Sequence, residues 1–409
     1  MGKKKSKNSN LTRARIQCNN EFFTQLSSIE QEAVYYRKHF KDRIIFCNCD
    51  DPEESNFWKY FMLNFEFFGL RKLIATHYDT EKPTYKLELE KIDGELKTTK
   101  TPLKQNGDFK SDECIELLKE ADMVVTNPPF SEFRCFVTTL MKYNKEFLIM
   151  GNQNAITYKE IFPLIKDNKI WLGVNTNKTM EFEVPDYYDI SKNGRIDEEG
   201  RRLVKVPAIS WFTNLEHNKR NEELILWETY TPEKFPKYDN YDAINVDKVA
   251  EIPLNYTEIK EVKKDELEEL EASGFIFDIL EENGKDLKVE IKNPVMGVPI
   301  TFLNKYCPSQ FEIVAFRKGD DGKDLVFTRE REFNHTFVSL FDVDSRNDKE
   351  LGRRNKWESY LRKNNNAEED LEPVDCFYPV ATNLQNTLVN DCTVNGKKTY
   401  VRVLIRRKL

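Results

Sequence analysis

Short apolar runs that alternate with helical stretches constrain this chain more than any other feature. Residues 44–47, Ile44-Ile45-Phe46-Cys47, read as a buried strand. Asp50-Asp51-Pro52 follows, then a helical stretch over 55–68 that Gly69 closes. The strand signal returns at 72–76, 123–126, 147–150, 170–173 and 207–212, with helical stretches at 112–121, 132–145 and 156–165 between them. Residues 21–40 carry apolar positions at helical spacing, and the polar stretch 80–107 suits a hairpin. Strands that alternate with short helices predict an α/β fold, with a mainly parallel sheet covered on both faces. Such sheets bind ligands beyond the carboxyl ends of their strands. Asp50-Asp51-Pro52 and Asn127-Pro128-Pro129-Phe130 both fall at those ends.

The chain of 409 residues has room for two or three domains. Past residue 230 the pattern changes: 231–300 is rich in Lys, Glu and Asp, and 319–370 is highly charged and holds Asn364-Asn365-Asn366. Residues 399–405 alternate as a strand does. This divides the chain into a flexible basic arm over 1–20, a unit over 21–230 and a second region over 231–409. No apolar run reaches the roughly 18 residues of a membrane helix, and the first ten residues lack the apolar segment of a secretory signal. The 8 Cys form no CxxC pair and read as reduced thiols of a cytoplasmic protein. The 4 His match no zinc spacing. A net charge of −7 excludes a globally basic nucleic-acid binder. The two ends, 1–20 and 392–409, nevertheless carry Lys and Arg without acids. They are either local surfaces for a polyanion or solubilising tails.

Val124-Val125-Thr126-Asn127-Pro128-Pro129-Phe130 carries the most chemistry. Two prolines after a strand give a rigid backbone without donors. The Asn127 side-chain carbonyl and the Pro128 main-chain carbonyl are two acceptors, and Phe130 is a flat stacking surface. That set suits one planar group bearing an NH2, such as the exocyclic amine of a base. Accepting both N–H bonds favours a more tetrahedral, more nucleophilic nitrogen, placed to displace a sulfonium methyl in line. In duplex DNA the amine is out of reach for this geometry, so the base has to be extruded. The same motif also suits an RNA base or a protein glutamine, and an ordinary turn after a strand is the simplest alternative.

Asp51-Pro52-Glu53-Glu54-Ser55-Asn56-Phe57 sits where a methyl-donor loop of the form Asp-Pro-x-x-Gly-x-Gly belongs, with Ser55 and Phe57 at the glycine positions. It leads into a helix N-terminus that could approach a carboxylate; Asp50 and Asp51 could equally be helix caps. Gly107-Asp108-Phe109 offers a carboxylate and a ring, or else a turn. Ala75-Thr76-His77-Tyr78-Asp79 follows the second strand, where a ribose-binding acid is common. Arg353, Arg354, Asn355 and Lys356, beside Trp357, form a basic patch able to contact bases and phosphates, or a solvated charged helix.

Taken together, these segments resemble the EcoRI-type adenine-specific DNA methyltransferase family. The resemblance rests on Cys47-Asn48-Cys49-Asp50-Asp51-Pro52, Ser55-Asn56-Phe57, Leu63-Asn64-Phe65-Glu66, residues 70–76, Val124 to Ser131, Gly151-Asn152, residues 156–163 and 211–216, and Gly297 to Leu303. It implies a Rossmann-like class I methyltransferase sheet with helices on both faces, plus a C-terminal α+β target-recognition region. It implies methyl transfer from S-adenosyl-L-methionine to an adenine in double-stranded DNA, in partnership with a cognate restriction endonuclease. Asn127, Pro128, Pro129 and Phe130 map onto the catalytic motif. Asn48, Cys49, Asp50, Asp51, Ser55, Asn56, Thr76, Tyr78, Asp108 and Phe109 are the candidate donor-binding residues, and 319–370 reads as an insertion. A catalytically dead DNA-binding protein is the contrasting reading, supported by the glycine-poor loop.

Overall fold

The computed structural model describes residues 23–49, 51–80, 82–184, 188, 190–191, 193–238, 242–317, 393–394, 397–399 and 401–409. The basic arm, Asp50, the 319–370 stretch and Arg353, Arg354, Asn355 and Lys356 lie outside the described residues.

Among the described residues, one sheet collects eleven strands. They are β1 (Phe23–Thr24), β2 (Ile44–Cys47), β3 (Lys72–Thr76), β4 (Tyr85–Ile92), β5 (Glu95–Pro102), β6 (Met123–Thr126), β7 (Glu146–Asn152), β8 (Trp171–Leu172), β9 (Lys178–Glu183), β10 (Gly194–Ile196) and β11 (Arg202–Thr213). The order is β1-β9-β11-β7-β6-β2-β3-β4-β5, with β8 and β10 paired to β11. The centre, β3-β2-β6-β7, is parallel. The flanks are antiparallel, and β4 and β5 form the hairpin expected over 80–107. The result is a mixed α/β sheet.

Burial on both faces follows from the side-chain period of two. Ile44, Phe46, Ile74, Val124, Phe147, Ile149 and Phe212 point into one apolar cluster. Ile45, Cys47, Leu73, Ala75, Met123, Val125, Leu148, Met150 and Trp211 point into another. The first face is covered by helices Asp112–Glu120 and Phe133–Lys142, through Leu117, Leu118, Phe136, Val137 and Leu140. The second is covered by helices Leu26–Ala33, Arg37–Phe40, Asn56–Leu63 and Phe65–Phe68, through Ile29, Phe40, Phe57, Phe61 and Phe68. Each such side chain stabilises the fold by roughly 1.5–3 kcal/mol.

Local chemistry shortens some expected elements. The helix over 55–68 breaks at Asn64, whose side-chain amide donates to the Tyr60 carbonyl at 2.8 Å and competes with the backbone ladder. The stretch 156–165 divides into a 3-10 turn, Gln153–Thr157, and a short helix, Phe162–Lys166. Pro163, with no N–H to give, occupies the first turn of that helix. β11 runs well beyond 207–212 because Ala208 (φ +59°), after Pro207, absorbs a register shift against β9.

Beyond β11 lie β12 (Ile244–Asn245), β13 (Glu258–Lys263), β14 (Phe277–Asn283), β15 (Asp286–Ile291), β16 (Met296–Pro299), β17 (Phe311–Arg317), β18 (Thr393–Val394), β19 (Lys397–Lys398) and β20 (Arg402–Arg407). They build a four-stranded sheet, β12-β16-β20-β17, a three-stranded one, β13-β15-β14, and the two-stranded pair β18-β19. The strand expected over 399–405 is β20, between β16 and β17. Met296, Val298, Phe311, Ile313, Val403 and Ile405 share the apolar cluster of Phe46 and Val124, so one core runs from the large sheet into this layer. Two cations of the basic end serve inside this layer. Buried Arg402 donates to Asn245 Oδ1 at 3.1 Å and to Asp247 Oδ1 at 3.2 Å. Arg406 donates to Glu312 Oε2 and the Ser273 carbonyl, each at 2.6 Å. Among the described residues no helix is long and apolar enough to cross a membrane, and no group of three His, Cys, Asp or Glu is placed to hold a metal ion.

Candidate active site

Four loops meet beyond the carboxyl ends of β2, β3 and β6. After β2, buried Asn48 and half-buried Cys49 lead to Asp51. The Asp51 carbonyl accepts from Ser55 N at 2.6 Å and closes a turn. Ser55 is buried, and its hydroxyl caps helix Asn56–Leu63 by accepting from Phe57 N at 3.1 Å. The Asn56 amide donates to the Thr24 carbonyl at 2.8 Å, tying the loop to β1. Ser55, at an expected glycine position, and its neighbour Asn56 therefore hold the loop by side-chain bonds.

Side chains also fix Asp51. The Tyr85 hydroxyl donates to its Oδ1 at 2.9 Å, and His77 Nδ1 lies 3.1 Å from its Oδ2. The His77 ring stacks on Tyr85 with centroids 5.0 Å apart, and His77 N donates to the Tyr85 carbonyl at 2.8 Å. Lys100 stands 3.7 Å above the Tyr85 ring and reaches Glu53 Oε1 at 2.5 Å. Burial, with Asp51 adding to it, pushes the Tyr85 hydroxyl well above its ordinary range, so it stays a donor. Lys100 holds the Glu53 carboxyl below its ordinary range.

At the end of β3 Thr76 is buried, and beyond it Tyr78 is exposed. Asp79 N donates to the Asn106 carbonyl at 3.2 Å, bringing in the third loop. Gly107 has φ +75°, and a Cβ there would sit 2.1 Å from the His77 carbonyl oxygen. Only glycine permits that approach. Asp108 Oδ1 accepts from Lys110 N at 2.8 Å. Phe109 is buried edge-on against Phe136, with centroids 5.0 Å apart.

The fourth loop follows β6. Asn127 and Pro128 are buried, while Pro129 and Phe130 are half-buried. Phe130 packs against the second apolar cluster and keeps part of its ring at the surface. Glu132 N donates to the Pro129 carbonyl at 2.9 Å, closing a turn into helix Phe133–Lys142. Lys110 meets Glu132 Oε2 at 2.8 Å and links the Asp108 loop to this turn. The structure thus brings Asn48, Cys49, Asp51, Thr76, Tyr78, Asp108 and Asn127–Phe130 to one edge of the sheet.

A family model described as adenine-specific methyltransferase EcoRI matches residues 10–293 and 282–408. The chain belongs to this family. Over 333 residues it is 42% identical to the type II methyltransferase M.EcoRI of Escherichia coli, covering 77% of this chain and 91% of the relative. Over 307 residues it is 40% identical to M.MgeORF184P of Mycoplasma genitalium, covering 74% and 84%. Over 308 residues it is 38% identical to M.MpnI of Mycoplasma pneumoniae, again covering 74% and 84%. No solved structure matches the chain. Family membership makes the chain a DNA adenine methyltransferase. Tyr85, Lys100, Lys110 and Glu132 escape a sequence reading because their partners lie across the sheet. His77 is visible only as a side chain at a strand end.

Proposed function

We propose that Asn127, Pro128, Pro129 and Phe130 grip the exocyclic amine of an adenine extruded from double-stranded DNA. The supporting observation is the convergence of four loops at the carboxyl edge of β2, β3 and β6, the edge where parallel sheets bind ligands. The Asn127 side-chain carbonyl and the Pro128 carbonyl accept the two N–H bonds, which sharpens the nitrogen lone pair without a strong base. The consecutive prolines hold that pair of acceptors fixed, and Phe130 stacks on the purine.

S-adenosyl-L-methionine, when bound, supplies the sulfonium methyl. Its two positive centres and its ribose diol fit a loop cluster that presents the carboxylates Asp51, Asp79 and Asp108. Asn48, Cys49, Asp50, Asp51, Thr76, Tyr78, Asp108 and Phe109 would hold it, while Ser55 and Asn56 keep the loop in shape. The large sheet then acts as a Rossmann-like class I methyltransferase sheet. Residues 231–409, with the 319–370 insertion, act as the target-recognition region, Arg353 to Lys356 among their DNA contacts. On this reading the enzyme would work in the cytoplasm, and a cognate restriction endonuclease would be its partner.

The test supplies labelled donor to duplex DNA, RNA and a protein panel, and sequences DNA from expressing cells for modified adenine. Label in adenine of duplex DNA is the expected result. Label in RNA or glutamine, or no donor binding by calorimetry, would replace this reading by one of its alternatives.

A further inference from the structure

Near its carboxyl end, β7 lacks a side chain at a level where its pattern calls for a large one. Phe147 and Ile149 point into the apolar cluster that helix Phe133–Lys142 covers, and the period of two sends position 151 the same way. Position 151 is Gly, buried and still paired with Ser210 of β11. Gly151 is not among the glycines with positive φ, so the backbone does not demand glycine. The constraint is space: a Cβ there would sit 2.5 and 2.9 Å from Cε2 and Cζ of Phe133 and 3.0 Å from Cε2 of Phe212. The Phe133 ring is 2% exposed and packs on Phe212 with centroids 4.9 Å apart. It occupies the room that a side chain on β7 would otherwise fill.

Phe133 is also the first residue of the helix that follows the Asn127–Phe130 turn. The backbone between them is short and tied. Glu132 N donates to the Pro129 carbonyl at 2.9 Å, and Phe136 N donates to the Glu132 carbonyl at 2.9 Å. Three residues before Phe133, Phe130 packs against the cluster on the other face of the sheet. The turn therefore crosses the end of β6 with one aromatic anchor on each face. Thr126 pairs with Ile149, so Pro128 and Gly151 each stand two residues past the last rung. The socket for Phe133 is thus level with the turn itself. In a close-packed interior a ring held this way yields only by moving the backbone that carries it.

We propose that Gly151 is a positioning residue for methyl transfer: its missing side chain admits the Phe133 ring and so sets the height and tilt of the Asn127–Phe130 turn. The proposal rests on the adenine-gripping reading of that turn and adds what aims it. Gly151 acts through Phe133 and the turn, not on the reacting atoms.

The experiment measures single-turnover methylation of unmethylated plasmid DNA, donor affinity by calorimetry and Tm, for the full chain and four variants. Gly151→Ala is expected to slow the chemical step by about 10–100-fold, because a misplacement of about 1 Å costs up to about 10²-fold, while donor Kd stays within about twofold. Phe133→Leu empties the socket and is expected to slow the step by less than about tenfold. In Gly151→Ala/Phe133→Leu the new methyl group meets no ring, so the rate is expected to return to that of Phe133→Leu alone. Two independent losses would multiply instead. Leu140→Ala, two turns along the same helix and equally buried, is expected to lower Tm and leave rate and donor Kd unchanged. A Gly151→Ala rate within about threefold of wild type overturns the proposal. So does a double variant as slow as Gly151→Ala, or an equal slowing by Leu140→Ala at the same loss of Tm. Should Gly151→Ala not fold, the double variant decides. Folded and as fast as Phe133→Leu, it supports the socket; unfolded or slower, it overturns it. In each of these cases a full chain that methylates DNA leaves the enzymatic reading standing. If the full chain transfers no methyl to DNA adenine, that reading falls and takes the socket's role with it.

Discussion

The proposed acceptor turn at 127–132 and the proposed donor-side loops at 51–56, 77–79 and 106–109 occupy neighbouring strand ends, yet they are held by opposite means. The turn owes its shape to covalent restriction: two prolines, one backbone bond from Glu132 N to the Pro129 carbonyl, and a half-buried aromatic. The donor side owes its shape to side chains that meet across the sheet. Asp51 is fixed by Tyr85 and lies beside His77, Ser55 caps a helix, Asn56 holds β1, and Gly107 lies against the His77 carbonyl. A methyl acceptor has to be aimed within tenths of an ångström, and stiff backbone achieves this locally. Here a donor loop without its glycines takes its order from its neighbours. Damage to the turn should therefore appear in the chemical step, and damage to the latch in donor binding.

Asn127→Ala is the largest expected effect. Removing one preorganised polar partner of the reacting group typically costs about 10²–10³ in kcat, or roughly 2.7–4 kcal/mol. Donor affinity should stay within about twofold. Single-turnover kinetics and calorimetry together check this, and an equal loss in both would dissolve the division between turn and latch.

Gly107→Ala probes the latch at its tightest point. The added Cβ meets backbone, not a movable side chain, and φ is positive, so the loop has to shift. A cost of about 2–3 kcal/mol is expected, read as weaker donor binding by tens-fold or more and a lower Tm. An unchanged donor Kd would show that the 106–109 loop takes no part in holding the donor.

Tyr85→Phe removes one hydrogen bond to a charged group while leaving the ring on which His77 stacks. Bonds of this kind contribute about 1.5–3 kcal/mol when shielded, and less where water can replace the hydroxyl. About a tenfold rise in the donor KM is expected, with kcat nearly constant. A fall in kcat at constant KM would move Tyr85 from positioning the donor to aligning the acceptor.

The contrast also explains what the sequence makes legible. A strand buried on both faces shows as a run such as Ile44-Ile45-Phe46-Cys47, because every position is apolar, and the turn shows because Asn127 to Phe130 are contiguous. The latch does not show. Asp51 and Tyr85 are 34 residues apart, and neither carries a signal until β3 and β4 pair and set Tyr85 over the β2 loop. For the same reason the basic C-terminus looks like a surface tail, although β20 buries Arg402 and Arg406 against acids distant in sequence. Helix ends depend on single side chains such as Asn64, which periodicity cannot weigh.

The ion pair of Lys110 and Glu132 crosses from the proposed donor loops to the proposed acceptor turn, and the smallest effect belongs to it. Lys110 and Glu132 meet at 2.8 Å, but both side chains are 44% exposed, so water and salt screen them. Such pairs contribute about 0–1 kcal/mol. Glu132 raises the Lys110 ammonium above its ordinary value of 10.5, so any contribution is fully present below that pH. It is lost only as pH rises through the higher folded value. Lys110→Ala is therefore expected to change donor KM and kcat by less than about threefold, with the same ratio to wild type between about pH 6 and 9. A tenfold effect would mean that the two regions are mechanically coupled through this pair, and that stiffness in the turn is partly borrowed from the latch.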